Sequence, residues 1–244
     1  MIGIFDSGAG GLSVYREIVK LFPDERYIYY ADTAHCPYGR REREYVVGRA
    51  RHITSLLLEA GADIIVVACN TATSAAIATL RREWPCVPFV GMEPALKPGA
   101  LGTRSGTVGV LATAGTLSGS KYLDLKGRYA EDIRIVEHVG EGFVELVEGG
   151  VTDGPDAEAV VRHSLRPLLD EGADVVVLGC THYPFLRSVM EKVIGDERVE
   201  IIDPAPAIAR QVARLYSARR DGFALELLSS GDEAALRSLF GKLC

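Results

Sequence analysis

The sequence predicts an α/β protein made of two parallel-sheet units. Three observations predict it. Short apolar runs alternate with helix-length amphipathic stretches along the whole chain, as parallel strands joined by crossover helices require. The chain also contains an internal repeat. Aligned without a gap at an offset of 111 residues, positions 56–71 and 167–182 share seven identities: Leu57/Leu168, Leu58/Leu169, Gly61/Gly172, Ala62/Ala173, Asp63/Asp174, Val66/Val177 and Cys69/Cys180. A repeat of this kind implies two similar structural units. Finally, each copy passes from a helix end through a Gly-Ala-Asp turn into a buried-type run, Ile64–Val67 or Val175–Leu178, that delivers a cysteine at its C-terminal end. In open α/β sheets that end is where ligands bind.

The elements follow in order. Ile2–Phe5 is a short apolar run that ends at Asp6-Ser7-Gly8-Ala9-Gly10-Gly11, and Leu12–Val19 carries apolar residues at helical spacing. Strand, glycine-rich turn and helix suggest a dinucleotide fingerprint, with Asp32 after the Tyr27–Tyr30 run as the ribose acid. The third glycine position holds Ser13, which argues against it. Residues 31–39, with Pro37 and Gly39, read as a loop in which His35 and Cys36 carry no chemistry of their own. Arg40–Ala60 reads as a helix, 64–67 as a strand, Thr71–Arg82 as a helix and 86–94 as a further short strand. Pro94, Pro98 and Gly99 make a breaker-rich crossover. The pattern then restarts: strand from Thr107, helix from about Leu117, strand Ile133–Val136, loop 137–142, short helix Phe143–Glu148 and helix Asp156–Glu171. After the second repeat strand, His182-Tyr183-Pro184 opens a helix through Ile194, and Glu200–Asp203 is a strand. Ala207–Tyr216, Leu225–Ser229 and the tail read as helix, strand and helix. The resulting division is residues 1–94 with 205–244 for the first thiol and 95–204 for the second.

Composition narrows the function. With 244 residues, 48% hydrophobic and 25% charged, the chain has ample core for such units. A net charge of −6 argues against a nucleic-acid surface. No apolar run is long enough for a membrane helix, and nothing before Ile2 resembles a secretory leader. Five scattered cysteines without a CxxC pair suit reduced thiols in a cytoplasmic protein, not disulfides or a metal site.

Each repeat thiol stands where a strand passes to a helix, and a helix N-terminus favours a thiolate. His182 lies two residues after Cys180, whereas Cys69 is followed by Asn70-Thr71, so the two places are similar but not equivalent. Asp6 can accompany Cys69 from the neighbouring strand end, and an acid for the second half comes from Glu141, Glu145 or Glu148. Two acid/base thiols in related units suit a nearly symmetric reaction, the inversion of a stereocentre by removal of a proton from one face and its return to the other. The carbanion on that route needs excluded water and preorganised donors.

These residues resemble the glutamate racemases. The resemblance rests on Phe5-Asp6-Ser7-Gly8 with Gly11-Leu12-Ser13, on Pro37-Tyr38-Gly39, on Ala68-Cys69-Asn70-Thr71-Ala72 and on Gly179-Cys180-Thr181-His182-Tyr183-Pro184, and it runs from residue 2 to about 205. It implies two pseudo-symmetric flavodoxin-like domains with parallel sheets, the active site in the cleft between them, and a homodimer. It also implies a reaction without cofactor or metal that interconverts L- and D-glutamate and supplies D-glutamate for peptidoglycan. By position, Cys69 and Cys180 are the paired thiols, acting on D- and L-glutamate respectively. Asp6 and His182 tune them, and Glu148 matches a family acid. Ser7, Asn70, Thr71 and Thr181 bind the amino-acid head group, with Asp6 and His182 beside it, and the amides of Tyr38 and Gly39 receive the side-chain carboxylate. The chain departs from the family at Val139-Gly140-Glu141-Gly142, where Ala-Cys-Pro is usual, at His35-Cys36, and in its short tail. The rival readings are an aspartate racemase of the same superfamily and a non-catalytic thiol protein that senses redox state or binds an anion.

Overall fold

The computed structural model describes residues 1–220 and 222–244. Its described residues divide into two units, Met1–Met92 with Ala205–Cys244, and Glu93–Pro204.

The first unit begins with β1 (Ile2–Asp6), α1 (Leu12–Leu21), β2 (Arg26–Ala31), α2 (Arg43–Glu59), β3 (Ile64–Val67), α3 (Asn70–Glu83) and β4 (Phe89–Gly91). Two 3-10 turns, Thr33–His35 and Tyr38–Arg40, fill the loop after β2. The second unit holds α4 (Leu96–Gly102), β5 (Thr107–Ala112), α5 (Ala114–Leu117), α6 (Ser120–Tyr129), β6 (Arg134–Val139), α7 (Phe143–Glu148), α8 (Pro155–Asp170), β7 (Val175–Gly179), α9 (Arg187–Ile194) and β8 (Glu200–Ile202). The chain then returns to the first unit with α10 (Ala205–Leu215), β9 (Ala224–Ser229) and α11 (Glu233–Leu243).

The first sheet runs β4-β3-β1-β2-β9 and the second β6-β5-β7-β8, and the pairings in both are parallel. Read from its far edge, the second order repeats the first strand for strand, β8-β7-β5-β6 against β4-β3-β1-β2. This is the flavodoxin-like order, whose switch point falls between the first and third strands. Strands β3 and β7 are apolar throughout because helices cover both faces. In β3 and β7 every residue is buried. Helix α2 presents Val46, Val47, Ala50, Ile53 and Leu57 to the first sheet at helical spacing, beside Phe5, Ile65 and Val67.

The repeat identities are turn residues as much as strand residues. Gly61 and Gly172 both take left-handed backbone, with φ +92° and +85°. In each turn the next alanine N–H donates to the helix carbonyl five residues back, Ala62 to Leu57 at 3.0 Å and Ala173 to Leu168 at 3.1 Å. The aspartate N–H then joins the neighbouring strand, Asp63 to Met1 O and Asp174 to Thr107 O.

Several boundaries differ from the sequence expectation. The breaker-rich segment is helical over α4, since Pro98 falls in the first turn, where its missing N–H costs no bond. The single helix expected from Leu117 is two, parted at Gly119, which is extended. Strand β6 continues through Glu137 and His138 to Val139, residues that read as loop by polarity but pair along β5. The segment after Cys180 is a 3-10 turn, Tyr183–Leu186, before α9 begins.

Because Gly61 and Gly172 hold the same strained conformation with open space where a Cβ would sit, Gly61→Ala and Gly172→Ala are each expected to lower stability by about 1 kcal/mol through backbone strain alone. Urea unfolding of the two variants measures it.

Candidate active site

The first thiol is placed by the end of β3. Phe5 of β1 lies opposite Val67 of β3, so the residues just after these two strands stand side by side. Cys69 is extended, with φ −134° and ψ 121°, and caps α3: its Sγ accepts from the Ala72 N–H at 3.5 Å. Sulfur here occupies the place an N-cap oxygen usually takes, at the positive end of the helix. Across the strand gap the Cys69 thiol lies 3.9 Å from Ser7 Oγ. Asp6 is fully buried and its Oδ2 accepts from the Gly11 N–H at 2.8 Å. Gly11 admits no side chain, because a Cβ there meets Asp6 Cβ and Tyr29 Oη at 2.8 Å. The Tyr29 hydroxyl donates to Gly8 O at 2.8 Å, which pins the turn that carries Asp6 and Ser7.

Asn70, the first residue of α3, is 4% exposed, and neither atom of its side-chain amide finds a hydrogen-bond partner among the described residues. Buried amides are nearly always satisfied, so a pair of open amide atoms beside a thiol marks a place for a polar ligand group. Thr71 is buried next to it.

The loop after β2 is anchored by a buried network. Asp32 is 0% exposed; Arg49 of α2 grips it with both nitrogens, Nε to Oδ2 at 2.9 Å and Nη2 to Oδ1 at 2.8 Å. Tyr38 donates its phenol to the same Oδ2. Burial alone raises the Asp32 carboxyl, but hydrogen bonds from Arg49, Tyr38 and Ser230 outweigh it and hold the group below the usual carboxylate range. With both oxygens engaged by protein, Asp32 does not serve as a ribose acid.

The second thiol has a different setting. Cys180 follows β7, and His182 turns its Nδ1 to within 3.7 Å of the sulfur. The opposite nitrogen, Nε2, lies 2.6 Å from Glu148 Oε1. Of the three acids considered from sequence, Glu148 is the one that meets His182. Burial opposes a charge on His182, which is 2% exposed, but its bonds to Cys180 and Glu148 prevail and raise the imidazole well above its ordinary range. Tyr183 keeps the parts together. Its ring stacks edge-on against Phe143 of α7 at 4.8 Å, and its hydroxyl donates to Gly140 O at 3.3 Å. A Cβ at Gly140 falls 2.6 Å from that ring, so the glycine of the unusual Val139-Gly140-Glu141-Gly142 stretch is what lets the tyrosine close on α7. Helix α7 ends on Glu148, so the same contact aims the acid.

Register adds two residues missed in the sequence. Leu111 stands opposite Leu178 as Phe5 stands opposite Val67, which makes Thr113 the counterpart of Ser7. Thr113 caps α5 by accepting from the Thr116 N–H at 3.3 Å, and the two hydroxyls lie 3.0 Å apart. The gap-free repeat does not reach them. Phe5 and Leu111 are 106 residues apart (111 − 5), whereas the thiols are 111 apart (180 − 69). The same register puts Ala112 in the place of Asp6, and the thiol offset puts His182 in the place of Thr71.

Each of the two flavodoxin-like sheets thus delivers a strand-end thiol with its own polar partners. The family model described as Asp/Glu/Hydantoin racemase matches residues 2–212, and the chain belongs to that family. Along its length the chain is similar to the glutamate racemase of Ectopseudomonas mendocina (strain ymp), at 46% identity over 250 residues, covering 99% of this chain and 95% of the relative. Among solved structures it resembles Escherichia coli glutamate racemase in complex with L-glutamate and the activator UDP-MurNAc-Ala, with a TM-score of 0.88 and 34% identity, covering 99% of this chain and 94% of that one. Picrophilus torridus aspartate racemase shares the fold alone, at 21% identity and a TM-score of 0.55 over 88% of this chain and 93% of its own.

The His182–Glu148 pair predicts a pH signature. A histidine raised above its unfolded value of about 6.5 contributes stability that is fully present below that pH and lost as pH rises through the folded value. Glu148→Gln is therefore expected to cost most stability near pH 6 and progressively less as pH rises through the folded value, and to bring the His182 titration down. Urea unfolding across that range and imidazole proton NMR check the two halves.

Proposed function

We propose that this chain racemises glutamate at its α-carbon by two-thiol proton transfer. The observation that carries the reading is the recurrence of one thiol at the same register of β3 and β7, each at a strand's carboxyl end and each with its own polar surroundings. Similarity to glutamate racemases over nearly the whole chain supports glutamate as the substrate.

The step balances simply. One sulfur, as thiolate, takes the α-proton; the C–H bond breaks, an S–H bond forms, and the electron pair is held as a carbanion conjugated with the α-carboxylate. The other thiol gives its proton to the opposite face and becomes the thiolate. On Cys69 the neighbours are Ser7 and the α3 N-terminus; on Cys180 they are His182 and, behind it, Glu148. Asn70 offers both amide atoms to the head group, with Ser7, Thr71, Thr181 and Thr113 as hydroxyl donors or acceptors. The Tyr38–Gly39 turn receives the distal carboxylate through its backbone amides. Operation without a cofactor, a homodimeric state, a cytoplasmic setting and supply of D-glutamate to peptidoglycan complete the proposal and rest on the family resemblance.

The test is proton NMR of L-glutamate with the protein in D₂O, followed in parallel by circular dichroism. Wild type is expected to wash out the α-proton while optical activity decays. Cys69→Ala and Cys180→Ala are each expected to slow racemisation by at least about a hundredfold, as loss of a positioned acid or base does. L-aspartate is expected to exchange far more slowly. A folded, reduced wild type that exchanges the α-proton of neither amino acid overturns the reading.

A further inference from the structure

We propose that Arg49 is a positioning residue that fixes the Tyr38–Gly39 turn against the sheet and thereby sets affinity for the substrate's distal carboxylate. The inference rests on the reading above that this turn receives that carboxylate.

The geometry is a chain of fixed links. Asp32 is tied by backbone to the end of β1, its N–H donating to Asp6 O at 2.9 Å, so its carboxylate starts from a rigid point. That carboxylate is wholly buried and cannot be solvated, which makes a cationic partner obligatory. Arg49 supplies it from α2 with a two-point grip, Nε to Oδ2 and Nη2 to Oδ1, that fixes the plane of the carboxylate as well as its charge. Tyr38 reads that plane: its phenol bonds Oδ2, the same oxygen that Arg49 Nε holds. The ring of Tyr38 is buried in the core cluster that also holds Cys69 and Ala72 of α3. Rotation of the Asp32 carboxylate therefore moves the phenol, and with it the backbone of the 3-10 turn Tyr38–Arg40. Elsewhere the loop is tied through Thr33 and Ala34 to Ser229 and Ser230, through His35 to Tyr45, and after the turn by Arg41 over the Tyr45 ring. The side chain of Tyr38 carries the position of Asp32 into the turn, and Arg49 is what makes that link stiff.

Lysine at this site keeps the charge but not the fork, because an ammonium grips one point where a guanidinium grips two. Tyr38→Phe leaves the Asp32–Arg49 pair intact and cuts only the tie to the turn, so it decides the matter even if Arg49→Lys fails to fold. The experiment measures kcat and KM for glutamate in both directions by circular dichroism, with thermal unfolding alongside. It adds inhibition by glutarate, which has a distal carboxylate and no amino group, and by 2-aminobutyrate, which has the head group and no distal carboxylate. The expected result in both variants is a KM raised about tenfold with kcat within about threefold, the scale of a weakened charge-assisted contact. The glutarate inhibition constant rises in parallel while that of 2-aminobutyrate stays put. A KM like wild type, a fall in kcat alone, or equal weakening of both inhibitors overturns the role of Arg49. If wild type itself fails to exchange the α-proton of glutamate, the reading of the site falls and takes this inference with it. If wild type turns over and the variants match it, only the inference falls.

Discussion

Parallel pairing of β3 against β1, repeated as β7 against β5, fixes where the two thiols stand. A strand buried on both faces has no room for polar side chains along its length, and β3 and β7 accordingly carry none. Chemistry is confined to the first residues beyond the strand. All pairings are parallel, so these positions gather along one edge of each sheet, next to the helix N-termini that follow. Cys69 is the second residue after β3, and Cys180 is the first after β7. Each thiol is thus placed by backbone geometry before any side-chain interaction acts on it.

Identical placement does not give identical chemistry. In the first unit a buried carboxylate, Asp6, ends β1, satisfied in part by the Gly11 amide, and the sulfur caps a regular helix. In the second unit the same register carries Ala112, so no acid comes from the neighbouring strand. The acid comes instead from the end of α7, as Glu148, and it reaches the sulfur through His182. A histidine needs a turn that lets its ring reach back toward Cys180, and the 3-10 geometry after His182 supplies one where an α-helix starts after Cys69. Divergence of the two copies lies in these connections, and the strands have stayed alike.

What the sequence made legible follows the same division. Strand runs, the Gly-Ala-Asp turns and the two thiols were readable because they depend on local pattern: buried apolar runs, glycine at positive φ, and a repeat that preserves both. The α/β class with two parallel sheets follows from them. Groups whose role depends on contacts across tens of residues were not readable. Arg49 looked like one more cation on a charged helix, yet it neutralises a carboxylate 17 residues earlier. Thr113 lay outside the gap-free repeat because the connections between the first and third strands differ in length between units. Gly140 looked like a departure in a loop, and only the ring of Tyr183 against it gives it a reason. Polar Glu137 and His138 disguised the end of an edge strand that is nowhere fully buried.

The loops of the candidate site share one device. Tyr29 holds Gly8 O, Tyr38 holds Asp32, and Tyr183 holds Gly140 O, in each case from a ring buried in the core. A buried tyrosine must find a partner for its hydroxyl, and here the partner is in each case a group in or beside a loop that carries site residues. The ring contributes packing to the unit and the phenol ties a loop to it, so a single side chain serves both stability and position. Removal of an α-proton leaves little tolerance for loose donors, because stabilisation of the developing charge depends on dipoles that do not have to reorganise. Connecting loops are ordinarily the most mobile parts of an α/β protein. Phenol ties from the core make these loops extensions of the sheet, which is the condition that preorganised proton transfer sets on a site built at strand ends.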